Sequence, residues 1–414
     1  MSPPTRLVHH RIAVCVAFGV QGAGLITLTT RLPVISERWD LGELKLSVLL
    51  LMMILLAGVG SVIAERAAAR RPSALLLRCG LIGVALGVAG IVLAPGEGVF
   101  VGAMALYGLA LGVVDAASNM QAVALEAAYR RPILPSFHGA WTLGGMLGAG
   151  FTLATAHLPL AVAAVVAVLI AVAALAPFLA RSQERPRPGS ADGSADDPAD
   201  DGPIPWRPIV MVGVAMLIFY LVDTASTTWG ATYLDRVFDT PDSLVALATF
   251  PYLAASLAAR FLGDRVVGRL GAVRVLRTGA LVGAAGLLLV VTAPSWPLAV
   301  LGFTVTGFGV AVVAPLSFSA AAQIAGGSPA RVDAVIGRFN QFNYAGALGG
   351  SVLTGVVGSD SLRYGFVVPA VLVLALIPLA KYFAPSPLNV TPALGNRGKA
   401  TLRSHWARSR RGRG

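Results

Sequence analysis

The sequence predicts an all-α polytopic membrane protein of twelve transmembrane helices in two pseudo-symmetric six-helix bundles. Three observations predict it: an excess of apolar residues, the length of the blocks they form, and an internal repeat. Of the 414 residues, 56% are hydrophobic and 13% are charged, against roughly 25% charged in a soluble domain. A soluble core of this size cannot take in so much apolar surface.

A helix needs about 20 predominantly apolar residues to cross the hydrocarbon. Blocks of that length lie near 11–31, 46–64, 73–94, 98–124, 133–156, 158–180, 208–232, 243–262, 272–293, 296–324, 332–357 and 362–384. Membrane barrel strands would be shorter and alternating. The first block is too long for a cleavable signal, and no cleavage pattern precedes the polar stretch Arg31–Asp40.

Basic residues set the orientation. With both termini cytoplasmic, all but five of the 32 Lys and Arg fall on the inner side, the exceptions being Arg31, Arg38, Lys45, Arg236 and Arg363. An even number of helices satisfies this split. Residues 1–180 and 208–384 are the expected bundles, and 181–207, rich in Pro and Asp, reads as a flexible cytoplasmic linker. Residues 385–414 read as a disordered basic tail. It holds seven of the Lys and Arg, and without it the net charge falls from +12 to +5. Such a tail fits anionic lipid headgroups or simple solvation, and its position argues against nucleic acid.

The halves repeat. Glu65-Arg66, Arg70, Leu77-Arg78 and Gly80 recur as Asp264-Arg265, Arg269, Leu276-Arg277 and Gly279, each displaced by 199 positions (264 minus 65). Gly108 and Val113-Val114 recur as Gly307 and Val312-Val313 at the same displacement. Parallel six-helix repeats are a transporter architecture whose site lies between the halves. Glycine pairs four apart (Gly83/Gly87, Gly108/Gly112, Gly144/Gly148 and Gly346/Gly350) predict close helix packing. Cys15 and Cys79 sit in separate apolar blocks and read as packing residues, with no disulfide or metal expected.

The chain resembles the major facilitator superfamily. The acid–Arg pairs after helices two and eight carry the superfamily's loop motif in part: Ser61 stands where a glycine is usual, and Gly263-Asp264-Arg265 keeps the core. It is similar, more narrowly, to a bacterial subgroup related to proton-coupled sugar permeases. The pattern is Asp115, Asn119, Gln121, Glu126, Arg131-Pro132, Ser136, His138, Trp141 and Gly144-Gly145, then Asp223 with Trp229, then Ala314-Pro315 with Phe318-Ser319-Ala320. Thr228 replaces an acid that subgroup members often carry, and helix eleven is unusually polar. The resemblance implies alternating-access transport in a bacterial plasma membrane and a monomeric protein. The polar residues of helices four, seven and eleven favour proton-linked uptake of a sugar or similar polar metabolite.

Ionisable groups within a bilayer are costly, so each is a candidate for function. Asp115 lies about 24 Å along helix four, past the midplane, and Asn119 shares its face. Asp115 with His138 is the expected proton-coupling pair; a polar clamp between helices four and five is the structural alternative. Asp223 and Trp229 suit a sugar or a cation, while Trp229 equally suits an interfacial anchor. Asn340 and Asn343 on helix eleven, flanked by Tyr344, are expected to line the cavity, with Gln21 of helix one as a further lining residue. Glu65, Arg66, Asp264 and Arg265 are expected to lock the inner mouth. Arg31 either snorkels to water or serves as an outer gate, and Glu126 is expected to pair with Arg130 or Arg131. No Gly-rich phosphate loop occurs, so protons rather than ATP are the expected energy source, and no cofactor is expected. The absence of a metal-ligand cluster or nucleophile–base pair argues against an enzyme. Proton-antiport efflux of a hydrophobic or cationic compound, or a receptor or scaffold that has lost transport, are the rival functions.

Overall fold

The computed structural model describes residues 5–41, 43–155, 157–180, 203–240 and 244–384. The tail expected at 385–414, and the linker up to residue 202, lie outside the described residues. The first half contains α1 (Thr5–Thr30), the short α2 (Leu32–Arg38), α3 (Glu43–Ala68), α4 (Ser73–Leu93), α5 (Glu97–Tyr129), α6 (Leu134–Ala154) and α7 (Ala164–Ala173). The second contains α8 (Trp206–Phe238), α9 (Phe250–Leu270), α10 (Ala272–Thr292), α11 (Trp296–Val310), α12 (Val313–Ala325), α13 (Pro329–Phe339), α14 (Gln341–Val357), α15 (Leu362–Leu372) and α16 (Leu376–Leu379).

Each expected span is occupied by helix, but three are divided. The tenth is α11 followed by α12, the eleventh is α13 followed by α14, and the twelfth is α15 and α16 joined by a 3-10 turn. The tenth divides at Ala311-Val312, four residues before Pro315. Proline has no N–H to give the carbonyl one turn back, so Ala311 is left with an unused acceptor. Eight described helical stretches, two of the divided spans among them, are long and apolar enough to cross a membrane: Arg6–Thr30, Val48–Ala68, Ser73–Leu93, Glu97–Tyr129, Trp206–Phe238, Ala272–Thr292, Trp296–Ala325 and Leu362–Phe383. The remaining spans fall short for visible reasons. α6 is diluted by glycines and His138, α7 is short, α9 carries Arg260, Asp264, Arg265 and Arg269, and the eleventh span is broken and polar.

Within the halves, α1 packs on α6, α3 and α4 pack on α5, α10 packs on α11, and α8 packs on α14. All four glycine pairs sit in such contacts. A Cβ at Gly112 would stand 2.6 Å from the Ala57 carbonyl carbon and 2.8 Å from the Ser61 nitrogen. Gly87 meets Tyr107, Gly148 meets Ala23, and Gly346 and Gly350 meet the backbone of Leu217 and Leu221. Helices stripped of side chains approach to backbone contact, which supplies dispersion where no hydrophobic drive exists between helix and lipid. The outer faces keep large apolar groups exposed, Leu175 at 82% and Val356 at 68%, as a lipid-facing surface requires.

Gly112→Leu will therefore lower the melting temperature in detergent markedly, since overpacking costs about 1–3 kcal/mol or more. Gly102, with nothing within 4 Å of its virtual Cβ, is the control, and Gly102→Leu will leave the melting temperature nearly unchanged.

Candidate functional site

Asp115, in the middle of α5, faces the boundary between the halves. Gln21 of α1 donates its amide N–H to one carboxylate oxygen. The Tyr344 hydroxyl of α14 donates to the other at 2.7 Å, and Asn340 donates to that hydroxyl at 3.2 Å. The expected residues Gln21, Asp115 and Asn340 thus join in one chain of hydrogen bonds, with Tyr344 carrying it from one half to the other. Asp115 lies deep among the helices yet keeps partial access to solvent. Asn119 behaves locally: its amide donates to the backbone carbonyl of Asp115 at 2.8 Å, one turn back, and its own Oδ1 is buried without a partner. Asn343 is half-buried beside Tyr344 on the same helix.

A second polar cluster surrounds Asp223 of α8, which accepts the Tyr252 hydroxyl of α9 at 2.7 Å. Asp223 has no basic neighbour in sequence, yet the fold supplies one. Arg260 of α9, 7% exposed, lies within electrostatic range of Asp223, Tyr220, Tyr252 and His138. Its Nε donates to the Ala311 carbonyl at 3.1 Å, the acceptor that Pro315 leaves unused. One terminal nitrogen donates to Thr142 Oγ1 of α6, in the other half. Sequence reading passed over Arg260 because it sits near the end of an apolar block, among arginines that face water. Only its i, i+4 spacing to Asp264 hinted at an inward face.

His138 is not brought to Asp115. Its ring lies between Phe18 and Phe318, with centroids at 5.4 and 6.0 Å, and its Nε2 is buried without a partner. Trp229 is likewise separate from Asp223. Its indole N–H donates to the Ser351 carbonyl at 2.9 Å, and its ring covers Gly355, so it locks α8 to α14.

Toward the end where the described residues begin and stop, at Thr5 and Ala384, the halves are joined by two matching contacts, α3 with α13 and α6 with α9. In the first, Glu65 pairs with Arg338 at 2.7 Å, Ser61 donates to the Gly337 carbonyl at 2.8 Å, and Gln341 donates to the Gly58 carbonyl at 3.1 Å. In the second, Asp264 accepts the Ser136 backbone N–H at 3.0 Å and pairs at 3.0 Å with Arg11 of the adjoining α1. The acids of the loop motif therefore bind the opposite half, whereas their neighbours Arg66 and Arg265 are exposed. Among the described residues, the cross-half hydrogen bonds run from the level of Gly58 and Asp115 to this end, and none lies beyond.

Two further expectations change. Arg31 does not snorkel: it is 3% exposed and donates to the carbonyl and hydroxyl of Thr155 at 3.2 and 2.6 Å, tying α1 to the end of α6 within one half. Glu126 accepts the backbone N–H groups of Ile133 and Leu134 at 2.8 and 2.9 Å rather than pairing with an arginine. It caps the start of α6, where unsatisfied amides favour an anion.

Twelve spans in two repeated halves, with a polar site between them, define the class of a membrane transporter. The profile of the Major Facilitator Superfamily matches residues 211–413. An uncharacterized MFS-type transporter of Yersinia pestis is 27% identical over 380 residues, covering 90% of this chain and 96% of the relative. The uncharacterized transporter y4wD of Sinorhizobium fredii is 30% identical over 311 residues, covering 75% of this chain and 81% of the relative. Among solved structures, the fold is similar to that of the E. coli fucose:proton symporter (TM-score 0.72, 14% identity, covering 90% of this chain and 98% of that one). It is similar also to the human organic anion transporter MFSD10 (TM-score 0.73, 18% identity, covering 92% and 100%). The chain belongs to the major facilitator superfamily, whose members are multi-pass secondary transporters and not enzymes.

The cross-half pairs give a direct test. Ser61→Cys, placed in a Cys15→Ala/Cys79→Ala background, will react slowly with a membrane-impermeant maleimide, because Ser61 is fully buried in the closed end. Adding Asp264→Asn on the opposite flank will raise the rate on the order of 10-fold, as expected if a lost charge-assisted bond costs about 1.5 kcal/mol.

Proposed function

We propose that the protein imports a small polar solute, a sugar or similar metabolite, together with protons. The observation that carries this reading is the Asp115 carboxylate, a titratable group of one half held by Tyr344 of the other. An ionised carboxylate accepts both Gln21 and Tyr344. A proton on Asp115 turns one acceptor oxygen into a donor, so the bond from Tyr344 loses its charge-assisted strength. Loading the proton therefore loosens a link between the halves, and bound solute supplies the replacement contacts. Asn340, Asn343, Asn119, Gln21 and Asp223 provide amide and carboxylate groups for hydroxyls of the solute.

With both termini cytoplasmic, as the distribution of Lys and Arg favours, the closed end is the cytoplasmic one and the site opens outward. Glu65 with Arg338, and Asp264 with Arg11, are then the inner gate. Rocking of the halves breaks these pairs and exposes the site inward, so alternating access follows from exchanging one set of cross-half bonds for another. The relatives are bacterial, which supports a bacterial plasma membrane as its location.

A thermal-shift screen of sugars, sugar acids, amino acids and cationic amphiphiles selects the solute, since saturation at 100 times Kd stabilises by about 2.7 kcal/mol. In proteoliposomes an inward proton gradient will drive accumulation of that solute by the native protein. Asp115→Asn will keep solute exchange at equal pH and lose accumulation driven by the gradient. Equal responses to the gradient in both proteins would falsify the coupling role of Asp115.

A further inference from the structure

Arg260 is the feature that a neutral polar solute leaves unexplained. A guanidinium stays charged in any protein environment, and an uncompensated charge between membrane helices is costly. Two of its three nitrogens are occupied by neutral acceptors, the Ala311 carbonyl and Thr142 Oγ1. The third makes no hydrogen bond to any described residue. Asp223 lies within electrostatic range but forms no ion pair with it, and one of its oxygens is taken by Tyr252. Phe219 lies beneath the guanidinium at 6.0 Å, and His138, also unpartnered at Nε2, faces the same region. The arginine is anchored by a carbonyl that Pro315 frees and by Thr142, and it keeps one arm without a hydrogen bond, within electrostatic range of the half-buried Asp223. Such an arm is built to meet an oxyanion.

We propose that the transported solute carries a carboxylate, which docks on the free arm of Arg260, while its hydroxyls reach the Asp115–Tyr344–Asn340 chain. The proposal rests on the transport reading above and narrows its substrate class from polar metabolites to hydroxy acids such as sugar acids. Entry of such an anion with one proton would move no net charge.

The test uses pairs of probes alike except that a hydroxymethyl group replaces the carboxylate: D-galacturonate with D-galactose, D-gluconate with D-glucitol, and L-lactate with propane-1,2-diol. Binding to the purified protein is read by thermal shift and calorimetry. An acid will bind at least ~10-fold more tightly than its neutral twin, the size expected for a charge-assisted hydrogen bond. Methyl D-galacturonate, whose ester removes the charge, will behave as the neutral sugar, and this control needs no variant. Arg260→Gln will abolish the preference for the acid. If Arg260 only latched α9 to α6, Arg260→Gln would lower the melting temperature of the empty protein and leave the acid preference intact, which would overturn the proposal. Neutral twins that bind as well as the acids, or acids that fail to bind at all, would overturn it too. Neutral sugar accumulation driven by protons and indifferent to Arg260→Gln would keep the transport reading and discard the anion subsite. Acid binding lost in Arg260→Gln, without any gradient-driven uptake, would keep the subsite and discard the coupling.

Discussion

A charged or polar side chain carried between apolar helices has no water to turn to, so another part of the chain must meet it. That constraint organises the protein. Arg260 takes the carbonyl of Ala311 because Pro315 cannot. Gln121 takes Ser73 and the backbone of Leu179, fastening α5 to the start of α4 and to the irregular segment after α7. Asp115 takes one donor from its own half and one from the other. Where no partner is built in, as at the third nitrogen of Arg260, the structure leaves a place for a ligand.

The repeat reaches further into the site than its sequence signature does. Ser61 and Arg260 occupy equivalent positions, as do Glu65 and Asp264, at the displacement that relates the halves. Each member reaches across the boundary: Ser61 to Gly337, Arg260 to Thr142, Glu65 to Arg338 and Asp264 to Arg11. The acid is kept in both copies, because the closure of one end uses it twice. The position one turn away has diverged, small and neutral in one half, long and cationic in the other. Divergence at a pseudo-symmetric position is what a site for an asymmetric solute demands.

Spans, orientation signal and repeat were readable because each is a local property, a block length or a spacing. Gln21, Asp115 and Asn340 were readable singly, as polar residues in apolar helices, but their union through Tyr344 is tertiary and leaves no spacing to read. Arg260 was hidden by its neighbours: Asp264, Arg265 and Arg269 make the end of α9 look like a solvated terminus. His138 was misleading for a related reason. Entry into helix five suggested the depth of Asp115 without its direction, and the ring turns into phenylalanines instead. The divided helices were unreadable where only a proline four residues downstream marks the break.

The contrast between the contacts inside a half and those across the boundary explains how such a molecule can move. Inside a half, glycine-lined helices meet backbone to backbone, and dispersion at that distance falls steeply with any separation. Such contacts hold each half as one body. Across the boundary the contacts near the closed end are ion pairs and single hydrogen bonds, with Arg338 already more than half exposed. Their acids, Glu65 and Asp264, are largely buried, so each charge-assisted bond is worth about 1.5–3 kcal/mol, a loss that water entering the opened end largely offsets. Opening the closed end therefore exchanges protein partners for water at small net cost, whereas bending a half forfeits packing that neither water nor lipid restores. The favoured motion is rigid rocking about the polar centre, and the groups left at that centre, Asp115 and Arg260, are the ones a proton and a solute can bias.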